Sequence, residues 1–81
     1  MRIPRDISGK ELVRRLESLG YSPTRQSGSH VRVTTKNEGE HHVTIPMHEE
    51  LRVGTVNAII SDVALHFSIS KADIIQKLFG R

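Results

Sequence analysis

The segment that decides the fold, residues 25–46, reads RQSGSHVRVTTKNEGEHHVTIP. Apolar and polar side chains alternate in residues 30–35 and again in residues 42–45, as in strands that have one buried and one solvent-facing side. Asn37 and Gly39 lie between these runs and favour a turn. The two runs are therefore predicted to pair as an antiparallel hairpin, which ends at Pro46 because proline has no amide hydrogen to donate.

The same alternation predicts which side chains face solvent. Val31 and Val33 fall on the buried side, so His30 and Arg32 are expected to lie together on the opposite, open side. His41 is adjacent to a residue of the open side and should therefore point toward the covered side. The open face of the sheet is predicted to carry His30, Arg32, Thr34, His42 and Thr44.

Capping residues mark the start of two helices. Ser8 and Glu11 have the spacing of a capping box and Gly20 is a typical C-terminal stop, so a first helix is predicted between them. Ser70 and Asp73 repeat the spacing in a weaker form, because aspartate replaces glutamate, and predict a short C-terminal helix.

A further helix and a further strand flank the hairpin. Gly54 and Thr55 are the predicted N-cap of the helix. Its buried side is predicted to consist of apolar residues that recur at helical spacing: Val56, Ile59, Ile60, Val63 and Ala64. Residues 21–26 are predicted to form an edge strand before the hairpin, although Pro23 interrupts them.

The predicted elements follow one another in the order α-β-β-β-α, with the short C-terminal helix added. This order is typical of the α+β class, with a three-stranded antiparallel sheet and helices packed on one face. A chain of 81 residues is expected to form one domain, residues 1–81, with a core of modest size.

Charge is distributed unevenly along the chain. Residues 1–36 contain eight Lys or Arg against three Asp or Glu, whereas residues 37–81 contain four against six. A basic first half favours a polyanionic partner, although a solvated surface produces the same imbalance. The chain has no cysteine, no secretory signal and no apolar run long enough to span a bilayer, so a cytoplasmic protein without membrane contact is expected.

Four short pieces of the sequence together resemble one protein family. They are Leu19-Gly20-Tyr21 at the end of the first helix, RQSGSH at residues 25–30, VTIP at residues 43–46 followed by His48, and Gly54-Thr55 before Ile59-Ile60. In combination they are similar to the HicA toxins, also called YcfA-like proteins, of bacterial and archaeal toxin–antitoxin pairs. The resemblance covers most of the chain.

The resemblance carries expectations about fold, activity and partners. It implies a fold like the double-stranded RNA-binding domain, and activity as an mRNA interferase that a HicB-type antitoxin neutralises. It also implies that the histidine of the triplet Gly28-Ser29-His30 is catalytic. The expected partners are therefore RNA and an antitoxin protein, and no cofactor is expected.

Metal-free cleavage of RNA requires three kinds of chemical group at one site. It needs a base for the proton of a ribose 2′-hydroxyl, an acid for the leaving 5′-oxygen, and positive charge near the phosphate. His30 can serve as the base because imidazole titrates near neutral pH, and Arg32 on the same face can hold a phosphate oxygen. The amides around Gly28 and Ser29 can add to phosphate binding.

The remaining roles are less closely defined by the sequence. Additional positive charge for RNA is expected from Arg25 on the first strand and from Lys10 and Arg14 on the first helix. His42 and His48 are both candidates for the acid that protonates the leaving oxygen.

Two other interpretations stay open. A metal site formed by His30, His42 and His48 is geometrically conceivable, but no further residue supports it, so no metal is predicted. A non-catalytic RNA-binding or antitoxin-binding module on the same fold would share the basic face. The two main hypotheses differ at His30, because a pure binding module would barely change without it whereas an enzyme would stop turning over.

Overall fold

The computed structural model describes residues 3–80; Met1, Arg2 and Arg81, which belong to the predicted domain and to the charge count, lie outside them. The described elements are α1 (Gly9–Leu16) with a 3₁₀ turn (Glu17–Leu19), β1 (Ser22–Ser27), β2 (His30–Thr35), β3 (His41–Pro46), α2 (Val53–Phe67) and α3 (Lys71–Phe79). The predicted α-β-β-β-α order, the added C-terminal helix and the α+β class are confirmed.

The sheet has the order β1-β2-β3, and both neighbouring pairs are antiparallel. A two-residue turn of Gly28 and Ser29 joins β1 to β2. Gly28 has a φ of 58° whereas Ser29 does not adopt positive φ, which matches a type II′ turn with glycine at its first central position. This turn fixes His30 as the first residue of β2.

The helices cover one face of the sheet, and the core lies between the two layers. Val33 and Ile45 are completely buried there, together with Leu12 and Leu16 of α1 and Ile60 of α2. The predicted buried side of α2 is confirmed in full: Val56, Ile59, Ile60, Val63 and Ala64. Apolar burial of this kind is the main favourable term in folding.

Within the described part of the chain, no single helix is long and apolar enough to cross a membrane. The helices α2 and α3 reach the required length and composition only as a pair, and that pair is bent by 109° at its junction.

Both predicted serine caps are present. The Ser8 hydroxyl accepts a hydrogen bond from the Glu11 amide, and Ser70 accepts one from the Asp73 amide, each at 3.0 Å. The Glu11 carboxylate binds two arginines of its own helix, Arg14 and Arg15. The structure thus contains the Ser8 half of the predicted capping box, whereas the Glu11 carboxylate is engaged by the two arginines.

The predicted N-cap of α2 was wrong by two residues. The helix begins at Val53, with Arg52 as an extended N-cap residue whose side chain caps nothing, so Gly54 and Thr55 already lie in the first turn. A tertiary contact explains the earlier start. Leu51 is buried and its amide donates to the Ile7 carbonyl at 2.8 Å, which fixes the direction in which the chain enters the helix.

The edge strand β1 begins one residue later than predicted and continues to Ser27. Tyr21 lies just before it with only 1% of its surface exposed, so this residue belongs to the core. The pairing with β2 shifts between Pro23 and Arg25, and Thr24 is the extra residue of a bulge. Since Pro23 cannot donate to a ladder, an irregularity at this position is expected on physical grounds.

Candidate active site and nucleic-acid interface

One depression on the open face of the sheet brings three of the predicted site residues together. Arg25, His30 and Arg32 line it with Ser27 and Thr44, and its volume is about 320 Å³. The strand register explains the grouping. Arg25 pairs with Arg32, which pairs with Thr44 on its other side, and His30 pairs with Ser27.

His30 is held by its backbone and free at its ring. It follows the Gly28-Ser29 turn, and the Ser29 carbonyl accepts a hydrogen bond from the Met47 amide at 2.6 Å. Within residues 3–80 its imidazole forms no hydrogen bond and no ion pair, and the residue is exposed. Such a side chain can accept or donate a proton without first breaking an existing contact.

Arg25 and Arg32 lie directly opposite each other on neighbouring strands. Like charges in this relation destabilise a sheet. No carboxylate of residues 3–80 forms an ion pair with either guanidinium, so no residue in this part of the chain neutralises either charge. An anion bound between them would remove the repulsion, and a phosphate fits the donor geometry of two guanidinium groups.

His42 lies on the open face but away from His30. It pairs with Thr34, whereas His30 pairs with Pro46, four residues further along β3. At about 3.3 Å per residue the two positions are about 13 Å apart along the strand. The ring is also engaged, with Nδ1 at 2.7 Å from the Thr34 hydroxyl and Nε2 at 3.0 Å from the Glu40 carboxylate.

His48 lies nearer to the end of the sheet that carries His30. It follows Pro46, the partner of His30, by two residues and is exposed. Its carbonyl accepts a hydrogen bond from the Gly9 amide at 3.0 Å, which fixes the backbone of this loop against the start of α1. Of the two candidate acids, His48 is the one at the same end of the sheet as His30.

Lys10 and Arg14 lie on the outer surface of α1, in the helical layer, and line a separate depression there. Arg14 binds the Glu11 carboxylate at 2.7 and 2.9 Å, and Arg15 binds it at 2.7 Å. The hydrogen bond from Arg14, followed by that from Arg15, holds the pKa of Glu11 below its usual value. The structure therefore does not bring Lys10 or Arg14 together with His30.

A second polar cluster, on the covered side of the sheet, was missed by the sequence reasoning. The Tyr21 hydroxyl is hydrogen-bonded to Nδ1 of His41 at 2.7 Å, and Nε2 of His41 donates to the Asp62 carboxylate at 3.2 Å. His66 stacks on His41 with ring centroids 4.5 Å apart, and its Nε2 donates to the Asn37 carbonyl at 2.8 Å. We call these residues the Tyr21–His41 network.

Burial is the main reason why one member of this network, Tyr21, has a raised pKa. It raises the pKa of Tyr21 to about 12, and the negative charge of Asp62 contributes in the same direction. The strand alternation had placed His41 on the covered side, and the spacing of Asp62 and His66 on one helix surface was available as a second signal. Neither the strand alternation nor the spacing of Asp62 and His66 indicates that α2 packs across β3 at this point.

No group of three or more His, Asp or Glu side chains in residues 3–80 is close enough to hold a metal ion. His30, His42 and His48 are spread along one strand and the following loop, so the structure does not assemble them into a common ligand set.

The fold and the site together define a class of protein. It is a small α+β domain that covers one face of its sheet with helices and presents a basic, histidine-bearing depression on the other. A family model for the HicA toxin of bacterial toxin-antitoxin matches residues 9–65 of this 81-residue chain. The chain therefore belongs to the HicA toxin family, whose members act as the toxin of a toxin–antitoxin pairing. The helix α3 lies beyond the matched region.

Comparison with curated proteins and with solved structures gives no significant match.

Proposed function

We propose that this toxin is a metal-independent endoribonuclease that cleaves mRNA in the cytoplasm with His30 as its catalytic residue, and that a HicB-type antitoxin neutralises it. One observation carries the proposal. Among residues 3–80, the opposed arginines Arg25 and Arg32 have no carboxylate partner, and they lie in the same depression as His30, whose ring has no hydrogen-bond partner.

Each residue of the depression has a defined task in this proposal. The scissile phosphate binds between Arg25 and Arg32, whose charges also stabilise the additional negative charge that develops in the transition state. His30 removes the proton of the ribose 2′-hydroxyl, and the resulting oxygen attacks the adjacent phosphorus. The bond to the 5′-oxygen breaks, which leaves a 2′,3′-cyclic phosphate on one product and a 5′-hydroxyl on the other.

The leaving 5′-oxygen must receive a proton. We assign this role to His48, since both ring nitrogens of His42 are occupied and His42 is about 13 Å from His30 along the strand. The amides of Gly28 and Ser29 lie at the turn next to His30 and can contact the same phosphate. Lys10 and Arg14 can contact only more distant parts of a long RNA.

The test uses one RNA and its 2′-deoxy counterpart of the same sequence, both in excess EDTA. The proposal predicts that purified protein cleaves the RNA and leaves cyclic phosphate and 5′-hydroxyl ends. It also predicts that the deoxy oligonucleotide is bound but stays intact, because it lacks the attacking oxygen. This matched substrate separates cleavage from binding.

The possible failures of this experiment are distinct from one another. Binding of both oligonucleotides without any cleavage would mean that the protein is a non-catalytic RNA-binding module. Cleavage only after a divalent cation is added would point to a metal-dependent mechanism. Cleavage of the deoxy strand would exclude the 2′-hydroxyl as the nucleophile.

A further inference from the structure

His42 is rigidly held and yet remains accessible. Its Nδ1 contacts the Thr34 hydroxyl at 2.7 Å and its Nε2 contacts the Glu40 carboxylate at 3.0 Å, while 45% of the side chain stays exposed. Since both nitrogens already have partners, what the ring still offers to a ligand is its flat carbon surface.

The contacts of His42 form a chain across the open face. Its Nδ1 shares a hydrogen bond with the Thr34 hydroxyl, and its Nε2 lies within ion-pair distance of the Glu40 carboxylate. The Thr34 hydroxyl is also hydrogen-bonded to the Thr24 hydroxyl at 2.8 Å. This arrangement fixes the plane of the imidazole and reduces the entropy lost when a flat ligand packs against it.

The position of His42 connects it to the depression described above. The pair Thr34–His42 follows the pair Arg32–Thr44 on the same face, two residues or about 7 Å along the strands. Positive charge therefore lies on one side of His42. On its other side Glu40 carries a negative charge that repels a phosphate backbone.

We infer that His42 is a stacking platform for a base of single-stranded RNA, adjacent to the phosphate site of Arg25 and Arg32. This inference rests on the proposed function and adds to it a subsite for the substrate. A base is flat and uncharged, so it can approach His42 and Glu40 where a phosphate cannot. Histidine is among the side chains on which unstacked RNA bases pack.

The inference gives His42 a role other than acid or base catalysis. Proton transfer to RNA would require a ring nitrogen to leave Thr34 or Glu40, whereas stacking requires neither contact to break. The subsite also favours single strands, because bases within a duplex are already stacked on one another.

The test is a binding cycle that compares a short single-stranded 2′-deoxy oligonucleotide with an abasic strand of equal length. Both strands carry the same phosphates, and neither can be cleaved through a 2′-hydroxyl. The base-containing strand should bind wild-type protein more tightly by about 5- to 150-fold, the range of one stacked base. This advantage should largely disappear in His42→Ala and persist in His42→Phe, which keeps a flat ring without nitrogen atoms.

The inference is overturned if His42→Ala and His42→Phe lose the preference for the base-containing strand equally, because the ring nitrogens rather than the ring surface would then matter. Unchanged preference for bases in His42→Ala would overturn it as well. Thermal melting shows whether each variant is folded, and His42→Leu provides a second variant of similar bulk without an aromatic ring, which should behave as His42→Ala.

Cleavage kinetics separate this inference from the proposed function. In an active enzyme, His42→Ala should raise KM and leave the pH profile of kcat unchanged, whereas loss of a general acid would remove one limb of that profile. If wild-type protein binds bases through His42 but cleaves no RNA, the proposed activity fails and the subsite stands. If wild-type protein cleaves RNA and His42→Ala leaves KM unchanged, the activity stands and the subsite fails.

Discussion

The two faces of the sheet differ in how their polar side chains are partnered, and a comparison of His41 with His30 shows the contrast. His41 on the covered face has partners at both ring nitrogens and a stacked neighbour, all supplied by the protein. The open face holds Arg25, His30 and Arg32, none of which has a hydrogen-bond or ion-pair partner for its side chain within residues 3–80.

This difference between the two faces assigns stability to the covered face and function to the open face. No buried side-chain nitrogen or oxygen of the described residues lacks a hydrogen-bond partner, which is expected because an unpaired buried polar group costs about 1–3 kcal/mol. On the open face water relieves that requirement, so charges can be left for a ligand. We therefore expect substitutions on the covered face to change stability and substitutions on the open face to change activity.

The largest of the effects expected here follows from removing both opposed charges with Arg25→Gln and Arg32→Gln. Hydrogen bonds to charged groups contribute about 1.5–3 kcal/mol each, so the double variant should cleave RNA at least about 100-fold more slowly. Its melting temperature should stay the same or rise, because the repulsion between the two strands is relieved.

The matched control for this double variant is Lys71→Gln with Lys77→Gln on α3, which removes the same charge from the opposite layer. Equal loss of cleavage in the control would show that net charge alone matters. A lower melting temperature in the arginine variant would mean that these side chains stabilise the sheet.

A smaller effect, on stability, is expected for Tyr21→Phe. The substitution removes the hydroxyl that is hydrogen-bonded to Nδ1 of His41 and should lower the free energy of unfolding by about 1 kcal/mol at neutral pH. For a domain of this size that corresponds to a melting temperature about 4–8 °C lower. Cleavage by the folded protein at the same pH should not change.

The pH dependence of this difference follows from the pKa of Tyr21. Folding raises that pKa from 10 to about 12, so the unfolded chain loses the proton first as the pH rises. The stabilisation is therefore complete below pH 10 and is lost as the pH rises through about 12. The difference in melting temperature between wild type and Tyr21→Phe should shrink over this interval and then change sign, because a rise in the pKa of Tyr21 from 10 to about 12 outweighs one hydrogen bond. A difference that does not change with pH would contradict the buried, protonated hydroxyl.

The smallest effect is expected on the outer surface of α1. Each phosphate contact on a single strand contributes about 0.7 to the slope of log affinity against log salt. Lys10→Glu with Arg14→Glu should therefore flatten the slope by about 1.4 at most and leave the cleavage rate at saturating RNA unchanged. An unchanged slope would mean that this helix surface is only solvated.

Much of the fold was predictable because its signals are local. The alternation in β2, the serine caps of α1 and α3, and the buried side of α2 depend on neighbours within a few residues. The start of α2 depended instead on a contact between Leu51 and Ile7, and the bulge in β1 depended on its partner strand. Such contacts are not encoded in the spacing of nearby residues.

The site was predictable to a similar degree. The period of β2 placed His30 and Arg32 on one face, whereas the grouping of Arg25 with them follows from the β1 register. The distance of His42 from His30 also required the pairing of β2 with β3. The catalytic role of His30 stays a prediction that only a measurement on the protein can test.

The most direct test compares His30→Ala with His41→Ala in parallel measurements of cleavage and of unfolding free energy. We predict that His30→Ala lowers the cleavage rate by about 10²- to 10⁴-fold, retains RNA binding and changes stability by less than about 0.5 kcal/mol. His41→Ala leaves the Tyr21 hydroxyl without its partner and should lower stability by about 1–3 kcal/mol, with normal cleavage by the folded fraction. Retained cleavage in His30→Ala, or unfolding as its cause of inactivity, would contradict the separation of function and stability between the two faces.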